Sequence, residues 1–415
     1  MRTDIANHTD WELKRIKYLA TYNDEVLPDN TEPDVEINYI EISDVDHVNG
    51  ITNTQKLAFE KAPSRARRIV RKGDTIVSTV RTYLKAIAYV DDEYNGSIAS
   101  TGFAVIRSID EKKIHPKYLG YCFQDKRLLG DILSNSVGVS YPAINASALV
   151  RLSVYKPSYS EQILIALFLD QKTGQIDKLI EQKEKLLKLL AEKRTAIITQ
   201  AVTKGLDPKV EMKDSGVDWL GEIPKHWEVI PLKFQLKSLN KKRIPLSAEE
   251  RGPMNKKYPY YGASGIIDYV EDFIFNEDLI LIAEDGANLL SRSTPLAFVA
   301  TGKYWVNNHA HILEADSATF GFWSNLLCII DYTPWITGAA QPKLTQENLG
   351  NIPLPLPPKT EQLLISDFIQ KEITRFDPLI VKLKNSILKL KEYREALITS
   401  AVTGQIDVRK VVGHE

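Results

Sequence analysis

The chain has 415 residues, 43% of them hydrophobic, with a formal net charge of −1, and that length exceeds one ordinary core, so two or more domains are expected. The near-neutral charge argues against a surface that grips nucleic acid over its whole extent, though not against a local basic face. No apolar run approaches the ~20 residues of a membrane span, the opening "MRTDIANHTDWELKR" lacks the apolar segment of a signal peptide, and the lone cysteines Cys122 and Cys328 form neither a disulfide framework nor a zinc pattern, so a cytoplasmic protein is expected.

A first globular part is read over residues 1–157. Within it the segment Asp74 to Val90 alternates like strands, and Lys72-Gly73-Asp74 reads as a turn. The charged turn at Asp110-Glu111-Lys112-Lys113 only mimics a nuclease triad. The loop "SNSVGVSYPAINAS" closes this part. A first helical arm follows at 158–204, expected as a short helix near 160–172 and then a long one. Ile176, Ile180, Lys183, Leu187, Leu190, Arg194, Ile197 and Ala201 alternate spacings of four and three, the seam of a coiled coil. Gly205 marks the arm's end, and the polar, Gly- and Pro-containing 205–226 reads as a linker rather than a core element.

A second globular part is read over 227–357. It holds the charge run "NKKR" at 240–243, the cationic and aromatic "NKKYPYYGASG", the polar turn "EDGANLLSR", and "NNHAHIL", which sets His309 and His311 on one face of a strand without a third metal ligand nearby. Asp285, Asn288 and Arg292 of the polar turn are expected to be structural. A second arm at 358–408 repeats the seam with Phe376, Ile380, Leu383, Ile387, Leu390, Arg394, Leu397 and Ala401, and a tail of 409–415 follows. Asp377-Pro378 has the form of an N-cap and first helical residue, so this arm too is expected to break into a short and a long helix.

The two arms are one phrase written twice. "KRTAIITQAVTKGLD" at Lys193 returns as "YREALITSAVTGQID" at Tyr393, and the register holds from Gly138/Gly338 and Pro142/Pro342 through Glu161-Gln162/Glu361-Gln362 to Asp177/Asp377. Trp227-Glu228-Val229 likewise answers Trp11-Glu12-Leu13, although the lead-in before Trp11 looks clipped beside "DSGVDWLGEIPKHW". Between these landmarks the globular parts share almost no identity. Such self-similarity is an internal duplication. Two equal amphipathic arms prefer each other as partners, and the chain order makes them antiparallel. A long helix of ~26 residues would reach ~39 Å, close to the ~34 Å of one turn of B-DNA. On that reading the globular parts sit at opposite ends of a rod, related by a pseudo-two-fold axis.

The phrases "EQILIALFLDQKTGQIDKLIEQKEKLLKLLAEKRTAIITQAVTKGLD" and its echo, "WLGEIPKHWEVIPLK", "RIVRKGDTIVSTVRTYLKAIAYV" with "SIASTGFAVIR", and "YPYYGASGIIDYV", "LILIAEDGANLL" and "WVNNHAHIL" together resemble the specificity subunit of type I restriction–modification enzymes, over nearly the whole chain. The resemblance implies an α+β protein: two α/β target-recognition domains separated by a pair of long antiparallel coiled-coil helices. It implies a non-catalytic subunit that reads a split, asymmetric target in double-stranded DNA. It also implies docking to two methyltransferase subunits and to restriction/translocase subunits. S-adenosylmethionine, ATP and magnesium are then expected on those partners, with no cofactor, metal or catalytic residue in this chain. In keeping with this, neither the Asn/Asp-Pro-Pro-Tyr/Phe motif of amino-methylation nor a phosphate-cradling Gly-x-x-x-x-Gly-Lys-Ser/Thr is found. The alternative is a coiled-coil scaffold carrying two unrelated ligand-binding domains.

Given the resemblance, Arg65, Arg67, Arg81, Thr82, Tyr83 and Lys85 are candidate DNA contacts, since arginine leaving a strand suits guanine edges and phosphates. Ser140 and Tyr141 add neutral donors at a glycine turn, and Gln341 and Lys343 match them in the second half. Lys257, Tyr258 and Tyr260 suit phosphate and sugar, and Asn307 and Asn308 could bond adenine bidentately. Each has its plain alternative: a solvated basic loop for the arginines, core packing for the tyrosines, structural polarity for the asparagines.

Overall fold

The structure is a computed structural model that describes residues 11–338 and 341–409. It divides into two compact units, residues 1–184 with 384–415, and residues 185–383. The divisions fall inside the arms, not at their ends, so each unit combines one globular part with one half of each arm.

Both arms are single unbroken helices, Tyr159–Lys204 and Lys359–Val402. The expected short-then-long division is therefore corrected, and with it the ~39 Å figure that rested on a ~26-residue helix. Pro378 lies inside the second arm. Proline removes one helical donor and crowds the carbonyl four residues back. The helix continues because its flanks are held by packing: Phe376 is buried and Ile380 half-buried. Tertiary burial, not local propensity, decides such cases. The first arm opens with a capping box, in which the Ser158 backbone N–H donates to Glu161 Oε2 (3.1 Å) and the Glu161 N–H donates to Ser158 Oγ (3.4 Å).

None of the sixteen seam positions is exposed. In unit 1 the arms run in opposite directions, because Asp177 pairs with Arg394 (2.9 Å) while Glu184, further along, pairs with the earlier Lys391 (3.5 Å). Arg394, 7% exposed, also donates to Gln124 Oε1 and the Val48 carbonyl, which fixes the second arm to the first globular part. In unit 2 Lys193 stands over the Phe376 ring, and Ala201 and Val202 share a core with Ile365 and Ile369, again antiparallel.

The globular parts, unlike in sequence, are alike in topology. In unit 1 one antiparallel sheet has the order Ala20–Tyr22, Phe103–Ser108, Thr75–Ser78, Ile87–Tyr89. A second sheet has the order Gln55–Ala58, Glu36–Ile40, Ile98–Ser100, Ala66–Ile69, with a parallel central pair. Unit 2 repeats both. Its first sheet runs Lys237–Ser238, Ala310–Glu314, Leu279–Ala283, Ala297–Ala300. Its second runs Gly265–Val270, Tyr258–Gly262, Lys303–Val306, Phe275–Asn276, again with a parallel central pair. A two-stranded clasp closes each part, pairing Glu12 with Lys156 and Glu228 with Leu356. The central strand "LILIA" is buried at all five positions, as a continuous apolar run predicts for a strand covered on both faces.

The 205–226 segment is also corrected. It forms a hairpin of Met212–Asp214 and Glu222–Pro224, and Leu220 and Ile223 enter the unit 2 core beside Trp227. Its polarity concealed two buried side chains.

Candidate nucleic-acid interface

In each unit the central strand of the first sheet runs out into a loop, and the repeated glycine loop docks on that exit. In unit 1 the Thr75–Ser78 strand leads to Thr79, whose carbonyl accepts from the Ile144 N–H (2.8 Å), and Val80 bridges Ala143. In unit 2 the Leu279–Ala283 strand leads to Glu284, whose carbonyl accepts from the Leu344 N–H (2.8 Å), and Asp285 bridges Lys343. The glycine loops close identically: Val137 with Ala143, Thr337 with Lys343. Each requires its glycine. Gly138 has φ +113° and Gly338 φ +86°, and a Cβ would stand 3.0 Å from the Tyr141 carbonyl oxygen or 2.5 Å from that of Gln341.

On the unit 1 platform, residues 82–84 form a single 3-10 turn flanked by Arg81 (φ 50°) and Lys85 (φ 51°), both left-handed. This aims a short run of side chains outward. Arg81 is exposed and its guanidinium lies 5.1 Å from the Tyr141 ring centroid. Tyr83 and Ser140 are exposed and Lys85 half-buried, while Thr82 is buried and its Oγ1 pairs with Ser136 Oγ (2.9 Å). The structure thus brings Arg81, Tyr83, Lys85, Ser140 and Tyr141 to one platform, with Thr82 fastening it. Arg67 lies instead on the Ala66–Ile69 strand of the other sheet, and Arg65 in the turn just before it. Arg65 pairs with Glu41 and the Tyr39 hydroxyl, and Arg67 with Asp29 while lying over the Phe59 ring.

On the unit 2 platform, Gln341 and Lys343 line a groove of about 930 Å³ with Asp285, Gly286, Ala287, Leu290, Ser291 and His309. Asn308 is exposed beside it. Tyr258 opens a strand of the second sheet and Lys257 precedes it, with the Lys257 ammonium over the Tyr258 ring. Two expectations are corrected by burial. Tyr260 is 1% exposed and its hydroxyl is committed to the backbone of Leu246, so no face of the ring is open to a ligand. Asn307 is 4% exposed and its Oδ1 accepts from the His309 N–H, so its amide is not presented to a base.

The stretch 285–291 is what sequence reasoning missed. It occupies the place that Arg81 to Lys85 hold in unit 1, but at an offset near 205 rather than 200, because the globular parts differ in length. Asn288 does hold the turn, as expected, by bonding the Thr294 backbone. His309 and His311 do not act as a pair: the first faces Asp285, while the second is fully buried and bonds Asn240 and the Leu344 carbonyl.

Beneath the unit 2 platform lies a charged network. Glu284 pairs with Arg243 (2.5 Å) and Lys343 (3.2 Å), and lies 3.6 Å from His311. Burial works against the Glu284 charge, yet the Arg243 hydrogen bond and the neighbouring cations hold its carboxyl below its ordinary value. Burial dominates at His311 and lowers its pKa, as it does for His47 and His115. The unfolded chain takes these protons near pH ~6.5, the folded chain only below that. Their contribution to stability is therefore complete above ~6.5 and lost as the pH falls toward the lowered native values. We expect the urea midpoint to drop between pH ~7.5 and ~5.5, and a midpoint that rises on acidification would contradict this.

No helix among the described residues is long and apolar enough to cross a membrane. The type I restriction modification DNA specificity domain matches residues 8–189 and 224–389. A type I restriction enzyme specificity subunit, MjaIX, of Methanocaldococcus jannaschii is 26% identical over 439 residues, covering 99% of this chain and 96% of the relative. A putative specificity subunit, S.HindORF215P, of Haemophilus influenzae is 34% identical over 133 residues, 32% of this chain and 34% of the relative. A solved chain described under complex assembly and conformational transition of the type I R-M system has a TM-score of 0.65 at 20% identity, covering 95% of this chain and 98% of that one.

Proposed function

The chain belongs to the type I restriction–modification DNA specificity family and is a specificity subunit, and from that premise we propose that each unit reads one half of a split, asymmetric target in double-stranded DNA. One observation carries the reading. The two units share strand order and a loop-on-strand platform, yet present different side chains on it: Arg81 with Tyr141 in one, Asp285 with His309 in the other. A duplicated scaffold with unlike reading surfaces suits a target whose halves differ.

On this reading the chain is not itself catalytic. It works in the cytoplasm, and its arms dock two methyltransferase subunits, with restriction/translocase subunits completing the enzyme. S-adenosylmethionine, ATP and magnesium belong to those partners. Leu179, Leu186 and Leu189 of the first arm and Leu364, Leu379 and Leu388 of the second, all exposed, are apolar surface available for such docking.

Exchange of residues 11–150 for the corresponding part of another specificity subunit tests the division of labour. Sequencing of methylated adenines in a host carrying the whole operon should show one half of the motif replaced and the other kept. A motif unchanged in both halves would refute it.

A further inference from the structure

We propose that Asp285 selects a cytosine in the half-site read by unit 2, accepting a hydrogen bond from the N4 amino group, with His309 as its positioning residue; the proposal rests on the DNA-reading function above. Three observations lead there. The first is place. Asp285 bridges Lys343 as Val80 bridges Ala143 in unit 1, so the stretch after Asp285 stands where Arg81 to Lys85 stand there. The second is access. The Asp285 carboxylate is 32% exposed and faces the groove, whose wall continues in Gly286, at φ +101° and with open space around it, and in Ala287. Among the described residues, no atom lies within 4 Å of the place where a Cβ on Gly286 would stand, so that side of the carboxylate is open. The third is orientation. His309 Nδ1 lies 2.8 Å from Asp285 Oδ1 and 3.0 Å from Oδ2, so one donor fixes the carboxylate and leaves its outer lone pairs free.

The chemistry then narrows the ligand. A carboxylate facing DNA is repelled by the phosphates, so it suits a base donor and not the backbone. The major groove offers two such donors, cytosine N4 and adenine N6. Adenine sets its N7 acceptor beside N6, which opposes a carboxylate; cytosine has no acceptor beside N4 on its own edge. Arg81 is the opposite case. Among the described residues its side chain meets only the Tyr141 ring, and a free guanidinium suits guanine O6 and N7. A plain surface ion pair is the competing account of Asp285 and His309, and such a pair contributes little to stability.

The test uses the full chain in its methyltransferase complex. Methylome sequencing first supplies the target. Binding is then measured by fluorescence anisotropy on duplexes in which every base pair of both halves is substituted singly. Wild type should discriminate one C·G pair of one half-site by about 5- to 150-fold, the typical cost of one mismatched base pair in a specific site. Asp285→Ala should reduce that ratio to within about two-fold, and Asp285→Asn, which keeps the shape and one neutral acceptor oxygen, should lower it by less, each leaving the other half-site's ratios intact. His309→Gln should lower the same ratio only. Discrimination unchanged at every cytosine, or an equal loss of affinity across the whole panel, would overturn the proposal. A wild-type complex that methylates no two-part motif would instead overturn the function on which it rests.

Discussion

Replacing Arg107 by leucine is expected to destabilise the chain by about 3–5 kcal/mol, because it strands a buried carboxylate. Asp74 is 1% exposed and accepts Arg107 Nε and Nη2, each at 2.8 Å, in a two-pronged pair. The third Arg107 nitrogen reaches Glu25 at 2.6 Å, and Arg71 grips the same Glu25. Without the guanidinium, Asp74 keeps the Arg71 backbone N–H at 2.7 Å but loses both of its side-chain hydrogen bonds, and the neighbouring Arg71 charge is committed to Glu25. Arg107 lies on the Phe103–Ser108 strand, which pairs along the length of Thr75–Ser78, the strand that leads to Arg81. The loss should therefore appear in urea unfolding and as lost amide protection in both strands. A cost under ~1 kcal/mol would show that Asp74 finds water in place of its partner. Glu25 adds a pH signature. The Arg71 hydrogen bond, then that of Arg107, hold its carboxyl down to about 2. Stability from this group is present above the unfolded value of ~4.3 and is lost as the pH falls toward 2. Removing Arg107 should flatten that acid limb.

The arms were legible because two independent signals coincide in them. A heptad spacing names the buried face of each helix, and the two-hundred-residue echo says that whatever one arm does the other does too. What failed there was a local rule. Asp377-Pro378 has the chemistry of a helix start, but Phe376 and Ile380 on either side are held by packing that a single-residue preference does not overcome. The compact units divide the chain elsewhere than its composition does. Composition shifts lie at the ends of the arms, whereas compactness is set by contacts, and these divide each helix near its middle.

The shared topology of the globular parts was invisible for a different reason. Short strands need only the right burial pattern, and "TIVS" and "LILIA" satisfy the same central position with hardly a residue in common. Between such strands the loops change length, so the constant offset is lost at the loop that matters most. Of the candidate contacts, Arg81, Tyr83, Ser140 and Tyr141 reach one exposed platform, and Gln341 and Lys343 the other. Tyr260 and Asn307 had suitable chemistry but face inward, and residue type alone does not say which way a side chain on a sheet points.

Trp227→Ala is the second large loss expected, about 3–5 kcal/mol for a fully buried indole whose site cannot collapse. Trp227 packs with Ala201 and Val202 from the end of the first arm and with Leu220 and Ile223 from the hairpin. Its indole N–H donates to Glu361 Oε2 at 2.9 Å, while His226 meets the other oxygen at 2.6 Å. Glu361 is the third residue of the second arm, so this one side chain ties together both arms and the hairpin within unit 2. Gly205, at φ +74°, ends the first arm so close that a Cβ would lie 3.3 Å from the indole, which leaves no slack for repacking. Trp227→Phe separates the two contributions. It keeps most of the apolar volume and removes the N–H, so it should lose about 1.5–3 kcal/mol, the net worth of a hydrogen bond to a charged group. Equal losses in the two variants would mean that the clasp on Glu361, not the packing, holds this junction. An alanine variant within ~1 kcal/mol of wild type would mean that the hairpin does not depend on the indole at all.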